Sequence, residues 1–132
     1  MRTLLLAPAL LLAACAGADE PAPSTDVAVA APDHALPPFA ERPDDAVVID
    51  VRTPPEWMGG TVQGAERVNW LQPDFAERVE AAGVAKDAPV YLYCRSGARS
   101  GKAEAALREA GYSRVANAGA YGDLVAAGAP TE

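Results

Sequence analysis

Val90-Tyr91-Leu92-Tyr93-Cys94-Arg95-Ser96-Gly97-Ala98-Arg99-Ser100 decides how the chain folds. Its first four residues, introduced by Pro89, are bulky, β-branched or aromatic, the composition of a strand buried on both faces. Arg95 to Ser100 are small or cationic and read as a loop. From Gly101, the residues Ala103, Ala106, Leu107 and Ala110 recur at helical spacing until Gly111 stops the pattern. A strand feeding a short loop and then a helix aims successive backbone N–H groups, and the positive end of the helix dipole, at one point. Cys94 stands at that point. Residues 92–114 carry five cations (Arg95, Arg99, Lys102, Arg108 and Arg114) against Glu104 and Glu109, a net of +3. A thiol placed there is expected to ionise early, since helix N-termini and arginines bring cysteine pKa values to about 3.5–7.5.

The rest of the framework extends outward from this stretch. Ala46-Val47-Val48-Ile49-Asp50-Val51 is a second buried strand, Arg114-Val115-Ala116-Asn117 a shorter one, and Glu66-Arg67-Val68-Asn69 a weak one. Between them lie helical patterns. Thr53-Pro54-Pro55-Glu56 caps a short helix with proline at its first position. Asp74-x-x-Glu77 has the spacing of a capping box, followed by Phe75, Val79 and Ala82 on one face and Gly83 as a stop. Strands alternating with helices predict an α/β fold on a parallel sheet, with its chemistry at the carboxyl ends of the strands.

The composition sets outer bounds. With 132 residues, 50% apolar and 22% charged, the chain has room for one domain. A net charge of −7 argues against a nucleic-acid partner, which would want a basic face. Two cysteines exclude a disulfide-rich scaffold and a four-cysteine zinc site. The charge is unevenly spread. Arg2 precedes an apolar run from Leu4 to Ala14 that would span only about 16 Å as a helix, far short of a bilayer core of about 30 Å. A cationic start, a short apolar stretch and small residues describe an export signal over 1–14. Leu12-Ala13-Ala14-Cys15 resembles the bacterial lipoprotein signal, which implies lipid on Cys15 and an anchor on the periplasmic face. Ala16 after that cysteine points to the outer rather than the inner membrane. Residues 16–45 hold six prolines, eight alanines and seven acidic residues against Arg42 alone. We read 15–45 as a tether too poor in large apolar groups to order itself, with His34, the only histidine, solvated within it. The domain is expected over 46–132.

Three readings of Cys94 stand at this stage: a reactive thiolate, a structural buried thiol, and a disulfide with Cys15 that export would permit. Lipidation of Cys15 excludes the last. It leaves one odd, exposed thiol in an exported protein, and the strand-end position beside two arginines favours the reactive reading.

Ile49-Asp50-Val51-Arg52-Thr53-Pro54-x-Glu56-Trp57, Gly60-x-x-x-Gly64-Ala65-x-x-x-Asn69, Tyr93-Cys94-Arg95-Ser96-Gly97-Ala98-Arg99-Ser100, Leu107-Arg108-Glu109-Ala110-Gly111-Tyr112 and Val115-x-Asn117-x-Gly119 occur in that order. Together they resemble the single-domain rhodaneses, the thiosulfate sulfurtransferases, and most of all the periplasmic phage shock protein E type. The resemblance implies a three-layer α/β/α domain on a central, mostly parallel sheet of four to five strands. It further implies that Cys94 is the nucleophile and that Arg95, Ser96, Gly97, Ala98, Arg99 and Ser100 bind substrate. Asp50, Arg52 and Glu56 would lock the end of the first strand to the following turn. Four residues separate Cys94 from Arg99, which resembles the short sulfurtransferase cradle rather than the longer Cys-x5-Arg loop of phosphatases on the same fold. Arg95 directly after the cysteine resembles enzymes that prefer thiosulfate.

The implied reaction carries sulfur on Cys94 itself, from a small-molecule donor to a small-molecule acceptor such as cyanide or a thiol, with no metal or organic cofactor and with the protein as a monomer. Rival readings are a catalytically idle rhodanese module that binds a partner, a phosphatase or arsenate reductase on the same fold, and a thiol–disulfide enzyme. The last is disfavoured because no second cysteine is at hand to resolve a mixed disulfide. Departures from the family pattern are Thr61 where histidine is common, a shortened N-terminal part broken by Pro37 and Pro38, and Gly119-Ala120 in place of a glycine pair. Trp57 and Trp70 are expected in the core or at the pocket rim, since no basic stripe accompanies them.

Overall fold

The β-branched runs form the middle of the sheet. The computed structural model describes residues 35–132. The signal at 1–14, Cys15, and the tether as far as His34 lie outside the described residues. Among the described residues there are four strands: Val47–Asp50 (β1), Glu66–Arg67 (β2), Val90–Cys94 (β3) and Val115–Ala120 (β4). They lie in the order β2-β1-β3-β4, and every pairing is parallel. Hence β1 and β3, the two apolar runs, each have neighbours on both sides. The weak run at 66–69 shrinks to two exposed residues at the edge.

Alternation along the central strands sorts their side chains to two faces. Ile49, Val51, Val90, Leu92 and Cys94 point to one face, where they pack with Phe75 and Val79 of Phe75–Ala81 (α2) and with Ala103 and Leu107 of Ala98–Glu109 (α3). Val48 and Tyr93 point to the other, against Leu124 and Tyr121 of Tyr121–Ala126 (α4). Helices on both faces of one sheet make the expected three layers. The fourth helix, Pro54–Trp57 (α1), is a single turn directly after β1.

Three expectations need correction. The first concerns α3, which starts at Ala98 rather than Gly101, so that Ala98, Arg99 and Ser100 belong to its first turn. The cause is Gly97, which takes the N-cap position at φ 92°, a left-handed conformation that glycine adopts without steric cost. Second, Asp74 forms no capping box with Glu77. Its ψ of 38° is not the extended backbone that an N-cap needs, and its Oδ1 accepts from Arg78 Nε at 2.7 Å along the helix instead.

The third correction is to the domain boundary. Residues 35–45 were expected in the tether, but part of that segment packs on the domain. Phe39–Glu41 forms a 3₁₀ turn, and the Phe39 ring meets Tyr91 of β3 edge-on at 5.7 Å between centroids. Tyr91 donates its hydroxyl to Pro37 O at 2.7 Å, and the Arg42 guanidinium lies 4.0 Å over the Phe39 ring. A buried tyrosine hydroxyl needs an acceptor, and the proline-rich segment supplies it. Pro37 and Pro38 do prevent a longer helix, as expected, and they set up the docked turn.

Phe39→Ala is expected to lower stability by about 1 kcal/mol, the scale of an aromatic pair with partial burial. Urea denaturation of the two proteins checks this. Equal midpoints would return residues 35–45 to the tether.

Candidate active site

Cys94 ends the most enclosed strand, and its sulfur lies between the sheet and the start of α3. The Gly97 N–H donates to Sγ at 3.0 Å and the Ser100 N–H at 3.4 Å, while the Ser100 hydroxyl oxygen is 3.5 Å away. Burial pushes the thiol pKa up. Contacts from the Ser100 hydroxyl and from the backbone N–H groups of Ser100, Ser96 and Gly97 outweigh it, so the net shift is downward. The thiol is not exposed, contrary to the sequence reading. It is fully buried, because β3 carries it into the apolar interface with Ala103 and Leu107 and the loop wraps over it. It is nonetheless no ordinary core thiol, since polar donors converge on one side of it.

The two loop arginines separate. Arg99 turns from the cradle to Glu56 of α1, with Nη1 to Oε2 and Nη2 to Oε1 both at 2.9 Å, a two-pronged pair. Glu56 is itself fixed from behind. Its Oε2 also accepts from the Thr53 hydroxyl at 2.7 Å and the Thr53 N–H at 3.1 Å. Glu56 thus reaches across to the cysteine loop as well as back to its own turn, a second role its spacing did not reveal. Arg95 and Ser96 are exposed, as is Ala98, and Gly97 is half-buried.

Under the site lies a buried ion pair. Arg52 Nε donates to Asp50 Oδ1 and Oδ2 at 2.9 and 3.0 Å, and Nη2 to Oδ2 at 2.7 Å. The Asp50 carboxylate also takes the Tyr93 hydroxyl at 2.7 Å, and that oxygen accepts the Val62 N–H at 2.8 Å. The Arg52 guanidinium sits 4.2 Å over the Tyr121 ring. Burial alone would lower the Arg52 pKa, but hydrogen bonding and charge from Asp50 raise it, so the guanidinium stays cationic. Burial chiefly pushes the Tyr93 hydroxyl upward, so it remains a donor.

Tyr93 and Asn117 carry contacts that sequence reasoning did not assign. Asn117 donates its Nδ2 to Gly97 O at 3.0 Å and accepts from Ser100 Oγ and the Gly119 N–H, at 2.7 and 2.9 Å. The available signal was position: both residues sit near the carboxyl ends of neighbouring strands. Thr61 is buried and accepts from Arg67 at 3.3 Å. Trp57 borders a groove of about 510 Å³ with Arg67, Asn69 and Gln72, whereas Trp70 packs edge-on to Phe75 at 5.2 Å. One tryptophan is therefore at a rim and the other against the core.

A family model described as rhodanese-like domain matches residues 38–119. The thiosulfate sulfurtransferase PspE of Escherichia coli is 40% identical over 76 residues, which cover 58% of this chain and 71% of that protein. The thiosulfate sulfurtransferase GlpE of Pseudomonas fluorescens is 37% identical over 84 residues, 64% of this chain and 71% of that one. Among solved structures, a rhodanese with anions from Escherichia coli is similar at a TM-score of 0.57 and 33% identity, covering 66% of this chain and 96% of that chain.

The Glu56 carboxyl is held down to about 2 from an ordinary 4.5, first by the Arg99 hydrogen bonds and then by Thr53, against burial. A carboxyl whose folded pKa is depressed stabilises fully above its unfolded value and loses that contribution as pH falls through the folded one. The stability advantage of the natural chain over Glu56→Gln is therefore expected to be constant above about pH 4.5 and to shrink steadily from there toward pH 2. Urea midpoints at several pH values check this, and an advantage independent of pH would contradict it.

Proposed function

The chain belongs to the rhodanese-like domain family, and from that premise we propose that it is a thiosulfate sulfurtransferase working through a Cys94 persulfide. Relatives named as thiosulfate sulfurtransferases support sulfur transfer at the level of the family. The observation that carries the reading to this chain is the convergence of N–H groups from Gly97 and Ser100 on Cys94 Sγ at the end of β3.

The chemistry follows from where negative charge must reside. The Cys94 thiolate attacks the outer sulfur of thiosulfate. A new S–S bond forms while the old one breaks, and sulfite leaves with the bonding electron pair. The remaining Cys94 persulfide is anionic, and the same backbone donors that lower the thiol pKa would hold that charge. A second nucleophile, cyanide or a thiolate, then takes the outer sulfur and returns Cys94 as thiolate. No electrons are lost or gained overall. Because Arg99 is neutralised by Glu56, Arg95 is the loop cation that would meet the thiosulfate dianion, while Arg99 shapes the wall.

Full burial of Cys94 favours a second reading, a module that binds a partner without turnover. Intact mass separates the two. After incubation of the full chain with thiosulfate alone, the mass is expected to rise by one sulfur, about 32 Da, in a form that reductant removes and Cys94→Ser lacks. A folded chain that gains no sulfur would leave the partner-binding reading.

We also propose that the chain is exported and held on the periplasmic face by lipid on Cys15, on the outer rather than the inner membrane. Support comes from Leu12-Ala13-Ala14-Cys15 after a short apolar run and from the acidic, proline-rich stretch that follows. Full-length protein made in a bacterium fed labelled palmitate is expected to carry label, and Cys15→Ser to lose it. Label retained by that variant would place the lipid elsewhere.

A further inference from the structure

The wall behind Cys94 contains an irregularity. Along the β3–β4 ladder, Leu92 faces Asn117 but Tyr93 faces Gly119, so Ala118 is an extra residue in β4. The bulge is accommodated by Gly119 at φ 102°. It brings Gly119 against the cradle, where a Cβ added to Gly97 would lie 3.5 Å from the Gly119 Cα. The bulge also sets the orientation of the Asn117 amide. Nδ2 donates to Gly97 O at 3.0 Å and Oδ1 accepts the Gly119 N–H at 2.9 Å. A carbonyl on one side and an N–H on the other fix which way round the amide lies.

Asn117 Oδ1 is then an acceptor only 2.7 Å from Ser100 Oγ. Two oxygens at that distance need a proton between them, and only the serine can supply it. That hydroxyl has one proton. Its other acceptors are farther away, Gly97 O at 3.2 Å and Cys94 Sγ at 3.5 Å. While the sulfur is a thiol, the Ser100 proton therefore points to Asn117; the hydroxyl can favour the thiolate only by turning that proton away from Asn117. An anionic sulfur gains from a hydroxyl turned toward it, but that turn leaves Oδ1 and Oγ facing each other without a proton.

We infer that Asn117 is a positioning residue that withholds the Ser100 proton from Cys94 and so keeps the thiol less acidic than its cradle alone would make it. The inference rests, for its meaning in turnover, on the reading of Cys94 as the sulfur carrier. A thiolate that is too stable is a poor nucleophile, and the best attacking thiol has a pKa near the ambient pH. On this view the backbone donors and the Ser100 hydroxyl lower the pKa, and Asn117, by competing for the hydroxyl proton, limits how far it falls. The charged groups on the elements around the cradle are Arg95 in the loop, Arg99 of α3 paired with Glu56 of α1, and Arg52 after β1 paired with Asp50 at its end; of these Arg99 is the one whose charge is felt by Cys94. None of them is in the Asn117 contact set, and β4 itself carries no charged residue.

The test reads the thiol and not the sulfur chemistry. The ultraviolet absorbance of the thiolate is followed against pH in the full chain, with the Cys94→Ser trace subtracted. Asn117→Ala is expected to lower the midpoint by about half a pH unit, roughly three-fold more thiolate below it. In a Ser100→Ala background the same substitution is expected to leave the midpoint where it is. Asn117→Asp keeps the acceptor and its size, and is expected to raise the midpoint. A midpoint unchanged or raised in Asn117→Ala, a shift that survives Ser100→Ala, or no rise in Asn117→Asp would overturn the inference. The thiosulfate mass measurement stands apart from all of these. Absent sulfur gain with the expected midpoints would remove the substrate and leave the proton arrangement in place.

Discussion

The constraint on which the rest of the structure depends is the need of one buried carboxylate, Asp50, for its cation. A charge taken out of water is costly unless paired and fully hydrogen-bonded. Asp50 meets that requirement with Arg52, two residues on, and with the Tyr93 hydroxyl from the neighbouring strand. Arg52 in turn donates to Gly60 O, and Tyr93 accepts the Val62 N–H. A single carboxylate thereby joins β1, β3 and the 60–62 segment at the carboxyl end of the sheet. Tyr93 is the residue before Cys94, so the same network fixes the strand end from which the sulfur projects. Removing one partner of such a pair costs about 3–5 kcal/mol, a large share of the stability of so small a domain.

On that base the cradle divides its work between backbone and side chains. Gly97 and Ser100 present fixed N–H groups to the sulfur, and these need no reorganisation when charge develops there. Arg99 is paired with Glu56, and the pair ties α3, which carries the loop wall, to α1, which follows β1. The local cationic excess seen in the sequence is consequently smaller at the sulfur than residue counting implies.

Much of the layout was legible because it rests on local rules. Two β-branched or aromatic runs made the central strands, glycines ended α2 and α3, and a cysteine at a strand end before a helix marked the site. What escaped was decided by tertiary contact. Nothing local says that Glu56 will reach Arg99, because the pair spans 43 positions and depends on α1 and α3 meeting over the strand ends. Nor does proline-rich composition reveal that Phe39 has an aromatic partner waiting in Tyr91. The early start of α3 was hidden by reading Ala98 to Ser100 as loop, when a left-handed Gly97 already begins the helix. Asn117 supplied a point of family likeness, yet its contacts follow from a register irregularity that no periodicity displays.

That irregularity ties chain length to chemistry. The extra residue at Ala118 lies between Asn117, whose side chain bonds the cradle, and Gly119, whose backbone lies against it. Deleting it would leave Gly119 opposite Tyr93 in an unbroken ladder but would remove the bulge that Gly119 accommodates beside Gly97. The length of this segment therefore cannot drift, and Gly119, at φ 102°, resists substitution as well. Among proteins built on this frame, gaps and insertions should collect in the connections on the far side of the sheet and spare the three residues from Asn117 to Gly119.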